Sequence, residues 1–91
     1  MGEIVIKEIT VLNQLGLHAR PAALVVKATT AFKCQVFLFK DGTRVNAKSI
    51  MGVMMLAAEF GSTIEIEADG EDAQAAVDAV AAVFELRFGE E

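Results

Sequence analysis

The chain has 91 residues, of which 54% are hydrophobic, and a formal net charge of −5 at pH 7. This length predicts a single domain over residues 1–91 with one modest core, and the apolar content excludes a disordered chain. The acidic balance and the absence of Trp and Tyr argue against nucleic-acid binding, which needs a basic surface and usually stacking aromatic rings.

Membrane insertion and secretion are also not expected. No apolar run reaches the roughly 18 residues of a membrane span, and the segment Met1-Gly2-Glu3 lacks the basic start of a signal peptide. We therefore expect a cytoplasmic protein. Cys34 is the only cysteine, so it can form neither an internal disulfide nor a CxxC metal motif, and we expect no metal or other cofactor.

The first half of the chain predicts a strand, a helix and a hairpin. Residues 4–11 are rich in β-branched types and predict a strand with Ile9 and Val11 on one face. The apolar run after Pro21 predicts a helix over residues 19–31, because proline is well tolerated in a first helical turn. Asp41-Gly42 is a strong turn signal between two predicted antiparallel strands, residues 34–40 and 43–47.

The second half predicts two more helices around a fourth strand. Ser49 is a good N-cap for a short helix that should end near Gly61. Residues 63–68 alternate cleanly, which predicts a strand with Ile64, Ile66 and Ala68 pointing inward. Residues 72–88 carry apolar side chains at helical spacing and predict the last helix.

The predicted order β-α-β-β-α-β-α indicates an α+β protein. The alternation in the fourth strand favours a half-buried sheet, so we expect a four-stranded antiparallel sheet with three helices on one face, an open-faced β-sandwich. Val36 and Leu38 would then point inward, and Phe37 and Phe39 would lie on the open face. These two rings either pair with exposed residues of neighbouring strands, which we favour, or mark a self-association surface; we expect a monomer.

The segment Gly16-Leu17-His18-Ala19-Arg20-Pro21-Ala22 holds the only histidine and the only proline of the chain. Amides in the first turn of a helix have no intrahelical acceptor, and the helix dipole is positive there. An anion beside His18 would meet the amides of Ala19 and Arg20 and the Arg20 guanidinium. A neutral imidazole is a good nucleophile near neutral pH, so the pattern indicates phosphate carried covalently on the ring.

This segment has two other interpretations. His18 can instead be a solvated or capping residue at a helix start. The chain has no glycine-rich phosphate loop, no paired acidic metal cluster beside His18 and no second histidine, so it lacks the parts of an autonomous kinase or ATPase. We therefore expect a phosphoryl carrier rather than an enzyme.

Two segments resemble one known family. Leu15-Gly16-Leu17-His18-Ala19-Arg20-Pro21-Ala22 resembles the active-site signature of the HPr family, the histidine-containing phosphocarriers of the bacterial phosphotransferase system. Lys48-Ser49-Ile50-Met51-Gly52-Val53-Met54 resembles that family's regulatory-serine motif, and the resemblance covers essentially all 91 residues. It implies that enzyme I passes phosphate from phosphoenolpyruvate to His18, and that A-type domains of sugar permeases are the acceptors.

The resemblance also implies a docking surface and a regulatory site. Ser49 matches a serine that an HPr serine kinase/phosphatase modifies in many relatives, although a plain N-cap role is the alternative. We hypothesise that phospho-Ser49 inhibits transfer to His18. Met55 and Leu56 are equally compatible with the core or the surface. The implied partner-docking residues, with the last three expected to be exposed, are Leu17, Ala23, Lys27, Lys48, Ile50, Met51 and Met54.

The chain mixes features of two branches of the family. Leu15 stands where sugar-transport members often have a polar residue, and Asn13 to Gly16 and Phe84 to Glu91 resemble the nitrogen-regulatory branch. Lys48 to Gly52 instead resembles the kinase-regulated sugar branch. Three functions therefore stay open: a carrier for sugar uptake, a carrier in a regulatory relay, and an interaction module without transfer. An intact His18 and Arg20 disfavour the third.

Overall fold

The computed structural model describes residues 3–89, so the expectations that concern Met1, Gly2, Glu90 and Glu91 lie outside the described residues. The predicted element order and fold class are confirmed. The elements are β1 (Glu3–Thr10), α1 (Ala19–Thr30), β2 (Gln35–Lys40), β3 (Thr43–Asn46), α2 (Ile50–Met55), β4 (Thr63–Gly70), α3 (Ala73–Glu85) and a final 3-10 turn over Arg87–Gly89.

The four strands form one antiparallel sheet in the order β1-β4-β2-β3, so β1 and β3 are its edges. β1 pairs with β4 along its whole length, with Ile9 opposite Ile64 and Lys7 opposite Ile66. Directly opposed residues project from the same face of a sheet. Because Ile66 is fully buried on the helix side, Lys7 also projects toward the helices.

The core lies between the sheet and the helices. Ile64, Ile66 and Ala68 are fully buried, as the alternation of β4 predicts. α3 buries Val77, Val80 and Phe84 along one stripe, which is the face expected from its helical spacing. None of the helices in residues 3–89 combines the length and the apolar character that crossing a membrane requires.

The open face of the sheet carries Phe37 and Phe39, both half-buried. Arg44 of the neighbouring strand β3 lies opposite Phe39, and its guanidinium carbon is 3.7 Å from the centre of the Phe37 ring and 5.9 Å from that of Phe39. The predicted pairing with a neighbouring strand is therefore present, and the partner is a cation rather than another aromatic ring.

Two helices end earlier than the sequence predicts. α2 ends at Met55 instead of near Gly61, because Ala57 has a φ of +53° and the amides of Leu56 and Ala57 bond back to the carbonyls of Val53 and Met54. α3 ends at Glu85, and Arg87 and Phe88 both have positive φ. Left-handed residues cannot continue a right-handed helix, so each helix stops there.

Candidate functional site

His18 is the residue that caps the N-terminus of α1. Its backbone is extended, with φ −81° and ψ −169°, and its carbonyl accepts the first helical hydrogen bond from the Ala22 amide at 3.0 Å. Pro21 is buried in the first turn, where its missing amide proton costs nothing. The predicted placement of His18 at a helix start is confirmed, and its side chain is half-buried.

The loop before His18 is held against the loop that follows α2. Gly16 has a φ of +70°, and a side chain there would collide with the carbonyl oxygen of Ala58. The Leu17 amide donates to that same oxygen at 3.0 Å, and the Asn13 side-chain amide donates to the Gly16 carbonyl at 2.7 Å. The backbone leading into His18 is therefore fixed before any partner arrives.

The N-terminus of α1 presents donors to an anion. Ala19 and Arg20 are the first two helical residues, so no helical carbonyl is available to accept a hydrogen bond from their amides. Pro21, the third, has no amide proton. None of the residues in this described first turn is acidic, and the Arg20 side chain is exposed. Two amides and the positive end of the helix dipole thus lie at the end of α1 that His18 caps, and the exposed Arg20 side chain extends from the same turn.

The outward face of α1 continues this cationic region. Arg20, Ala23 and Lys27 are spaced by three and four residues and are all exposed, so they share one side of the helix. Leu17 differs from its expected docking role, because it is only 5% exposed and belongs to the core. Its amide also bonds to the Ala58 carbonyl, so both its backbone and its side chain lie against the body of the protein.

The segment before α2 is tied to the C-terminal end of α1. The Thr29 hydroxyl donates to the Ala47 carbonyl at 2.9 Å, and the Lys48 ammonium donates to the Phe32 carbonyl at 2.7 Å. Lys48 therefore contributes an internal bond as well as charge, which the sequence did not predict. Ser49 caps α2 as predicted, since its hydroxyl accepts the Gly52 amide at 3.0 Å.

The outer face of α2 is apolar and exposed. Ile50, Met51 and Met54 are 44%, 74% and 43% exposed, as expected from the resemblance. The sequence did not decide whether Met55 and Leu56 belong to the core or to the surface. In the structure Met55 is exposed and Leu56 is buried.

Two further exposed apolar side chains lie in the loops around Gly16. Leu15 is 75% exposed and Phe60 is 61% exposed. Sequence reasoning noticed Leu15 as unusual but missed Phe60, because a loop residue carries no periodic signal. Among the described residues, no group of three His, Cys, Asp or Glu side chains is placed to hold a metal ion.

Comparison with known proteins gives a consistent match. A family model described as "PTS HPr component phosphorylation site" matches residues 5–85. The phosphocarrier protein HPr of Treponema pallidum (strain Nichols) is 49% identical over 88 residues, which cover 97% of this chain and all of the relative.

Solved structures match in three dimensions as well. A crystal structure of HPr-C-His from Thermoanaerobacter tengcongensis has a TM-score of 0.91 and 42% identity, covering 96% of this chain and 98% of that one. A second structure from that organism, described as an HPr dimer, has a TM-score of 0.77 and 44% identity, covering 90% of this chain and 94% of that one. The monomeric state expected for this chain therefore stays a prediction.

The histidine segment, the serine segment and the sheet topology all agree with these matches. Both motifs lie within the 5–85 region that the family model covers. The chain belongs to the HPr family of the phosphotransferase system, whose members are phosphocarrier proteins and not enzymes.

Proposed function

We propose that this protein works in the cytoplasm, accepts a phosphoryl group on His18 from phosphorylated enzyme I, and passes it to A-type domains of sugar permeases. Phosphoenolpyruvate is the ultimate phosphoryl source. The observation that carries the proposal is the position of His18 as the N-cap of α1, whose first turn holds the amides of Ala19 and Arg20 and the exposed Arg20 side chain.

The proposed chemistry is a direct phosphoryl exchange. A neutral ring nitrogen of His18 attacks phosphorus, the new N–P bond forms, and the bond between phosphorus and the donor breaks with its electron pair staying on the donor. The Ala19 and Arg20 amides stabilise charge on the phosphoryl oxygens with little rearrangement, because the loop before His18 is held by backbone hydrogen bonds. The exposed Arg20 guanidinium adds a positive charge from the same turn.

A carrier must also release its phosphate. His18 is only half-buried and the Arg20 side chain is exposed, so a phosphoryl group on the ring stays accessible to the next partner. Each partner then supplies the remaining stabilisation of the transition state.

Incubation with enzyme I and phosphoenolpyruvate tests the transfer. We expect acid-labile phosphate on the protein, no label on His18→Ala, and a transfer rate roughly 100-fold lower for Arg20→Ala, as is usual when one stabilising donor is removed. If an enzyme I that labels another HPr leaves this protein unlabelled, the carrier function is wrong.

We also propose regulation by an HPr serine kinase/phosphatase at Ser49. The support is that this half-buried hydroxyl lies at the start of α2, directly before the exposed side chains of Ile50 and Met51. A phosphate there would add a dianion to an apolar surface and repel an acidic partner. Ser49→Asp should slow phosphorylation of His18 by enzyme I, whereas Ser49→Thr keeps a hydroxyl and should not; equal rates would contradict the regulatory role.

A regulatory relay that moves no sugar is the second candidate. Leu15 favours it, because sugar-transport members resembling this chain often have a polar residue there, whereas Leu15 is apolar and 75% exposed. The labelled protein can be offered separately to an A-type domain of a sugar permease and to a nitrogen-type acceptor. Transfer to the permease domain supports the first candidate, and transfer only to the nitrogen-type acceptor supports the second.

A further inference from the structure

Two large apolar side chains are exposed on the adjoining loops next to His18, namely Leu15 at 75% and Phe60 at 61%. We propose that Leu15 and Phe60, here called the loop flank, are covered by the phosphoryl donor protein and determine how tightly it binds. This inference rests on the proposed function, since it names how the donor recognises the same site. Neither residue is among those that the resemblance assigns to docking.

The loop flank is displayed on a rigid base. The Leu17 amide bonds to the Ala58 carbonyl, so the two loops are joined directly beside the flank. The Gly61 amide donates to Val11 and the Val11 amide donates to Ser62, both at 2.9 Å, which fixes the far side of the second loop. A surface that is already ordered loses little conformational entropy when a partner covers it.

The loop flank adds apolar area next to the nucleophile itself. Gly16 lies against the backbone of Ala58 and Glu59, and a Cβ added to Gly16 would be 3.1 Å from the Glu59 Cα. Leu15 directly precedes Gly16 and Phe60 directly follows Glu59, so the two residues of the loop flank lie on adjoining loops. Large apolar side chains exposed on neighbouring loops are typical of interaction sites. A donor that brings its phosphoryl group to the His18 ring must approach these loops as well.

Charge indicates what kind of surface covers the loop flank. Arg20 and Lys27 are exposed on α1, so the complementary surface has an apolar recess bordered on that side by carboxylates. Glu59 is exposed beside Phe60, so carboxylates on the other side would be repelled.

An apolar contact of this kind acts on binding rather than on the chemical step. Leu15 and Phe60 provide no polar group that could interact more strongly with the transition state than with the ground state. Their truncation should therefore raise KM and leave kcat unchanged. Buried apolar anchors near the centre of an interface are commonly worth about tenfold in affinity each.

The experiment measures initial rates of phosphorylation by enzyme I and phosphoenolpyruvate over a range of carrier concentrations. We expect Leu15→Ser and Phe60→Ser each to raise KM about tenfold with kcat within about twofold. Leu15→Met and Phe60→Leu should restore KM. The matched control is Ile4→Ser. Ile4 is 62% exposed, but it lies opposite Asp69 near the start of β1, whereas the loop before His18 follows the other end of β1 at Thr10.

Three results would overturn the inference. One is an unchanged KM in the Leu15→Ser, Phe60→Ser double variant, with circular dichroism showing a native fold. Another is self-association of the unsubstituted protein that the double variant abolishes, which would assign the surface to a second copy. If the unsubstituted protein is not labelled at all, the proposed function fails and this inference fails with it, whereas labelling with an unchanged KM rejects the loop flank alone.

Discussion

Gly16 allows the loop before His18 to approach the loop after α2 closely. Its φ of +70° is unfavourable for any other residue, and the space for a side chain is occupied by the Ala58 carbonyl. The close approach of two backbones is what positions the amide of Leu17 on that carbonyl. The backbone geometry before His18 therefore requires a glycine at position 16.

Gly16→Ala should lower the free energy of unfolding by about 2 to 4 kcal/mol, which combines left-handed backbone strain with overpacking. Gly42→Ala is the control, because Gly42 has a φ of +80° but no atom within 4 Å of an added Cβ. It should cost only about 1 kcal/mol, from the backbone alone. Urea unfolding measures both, and equal losses would mean that the contact with Ala58 contributes nothing.

Cys34 is a thiol that the fold makes unreactive. It is 4% exposed, and burial followed by its hydrogen bond to Asp72 raises its pKa from 9.0 to about 11. At pH 8 the thiolate fraction is thus roughly 100-fold below that of an exposed cysteine. Ellman's reagent should react slowly with the native protein and rapidly in urea; fast reaction of the folded protein would contradict this assignment.

At the level of the elements, Asp72 connects the start of α3 to the turn between α1 and β2. Its carboxylate accepts the amides of Lys33 at 2.9 Å and Cys34 at 3.0 Å, instead of capping its own helix. These partners lie 39 and 38 residues away in the chain. One carboxylate therefore holds together two regions that the sequence separates widely.

This connection predicts a pH dependence. The backbone amide of Lys33, and then the thiol and amide of Cys34, lower the pKa of Asp72 below its usual 3.8. A lowered folded-state pKa means that the bond stabilises the protein above pH 3.8 and that this contribution is lost as the pH falls through the folded-state pKa. Asp72→Asn should be less stable than the unsubstituted protein at pH 7, and the gap should narrow below about pH 4; a gap independent of pH would refute the role of the charge.

The sequence predicted the elements wherever local chemistry decides them. The alternation of β4 and the Asp41-Gly42 turn each reflect interactions within a few residues, and both are found in the structure. The predicted end of α2 near Gly61 was wrong, because Ala57 already adopts the left-handed conformation that is usually found at glycine. The chain carries no local signal for that choice.

In the candidate site, too, local features could be predicted from the sequence and long-range contacts could not. His18 and Pro21 could be placed because proline restricts where a helix begins. The burial of Leu17, the bond from Lys48 to Phe32 and the exposure of Phe60 could not be predicted, because each depends on contacts between segments far apart in the chain.

At the level of the whole molecule, the core extends into the C-terminal turn. Phe88 is 3% exposed and packs edge-on against Phe84, with ring centres 4.8 Å apart. It does so although Arg87 and Phe88 both have positive φ, which is unfavourable for side chains of this size. Burial of the ring outweighs the backbone strain.

Phe88→Ala should therefore lower the free energy of unfolding by about 3 kcal/mol. Leu86→Ala is the matched control two residues earlier, because Leu86 is 73% exposed and its loss should change stability by less than about 0.5 kcal/mol. Thermal and urea unfolding measure both variants. A Phe88→Ala protein as stable as the control would show that the turn lies outside the cooperative core.

The direction of Lys7 has a consequence for how the protein behaves at high concentration. β1 is an eight-residue edge strand with the exposed side chains Ile4 and Ile6, a combination that invites further strands to add and aggregates to grow. A strand added beside β1 would have to cover the helix-side face where Lys7 projects, and burying its ammonium without a partner is strongly unfavourable. We therefore expect Lys7, which is exposed on the helix side of this edge strand, to oppose the addition of further strands.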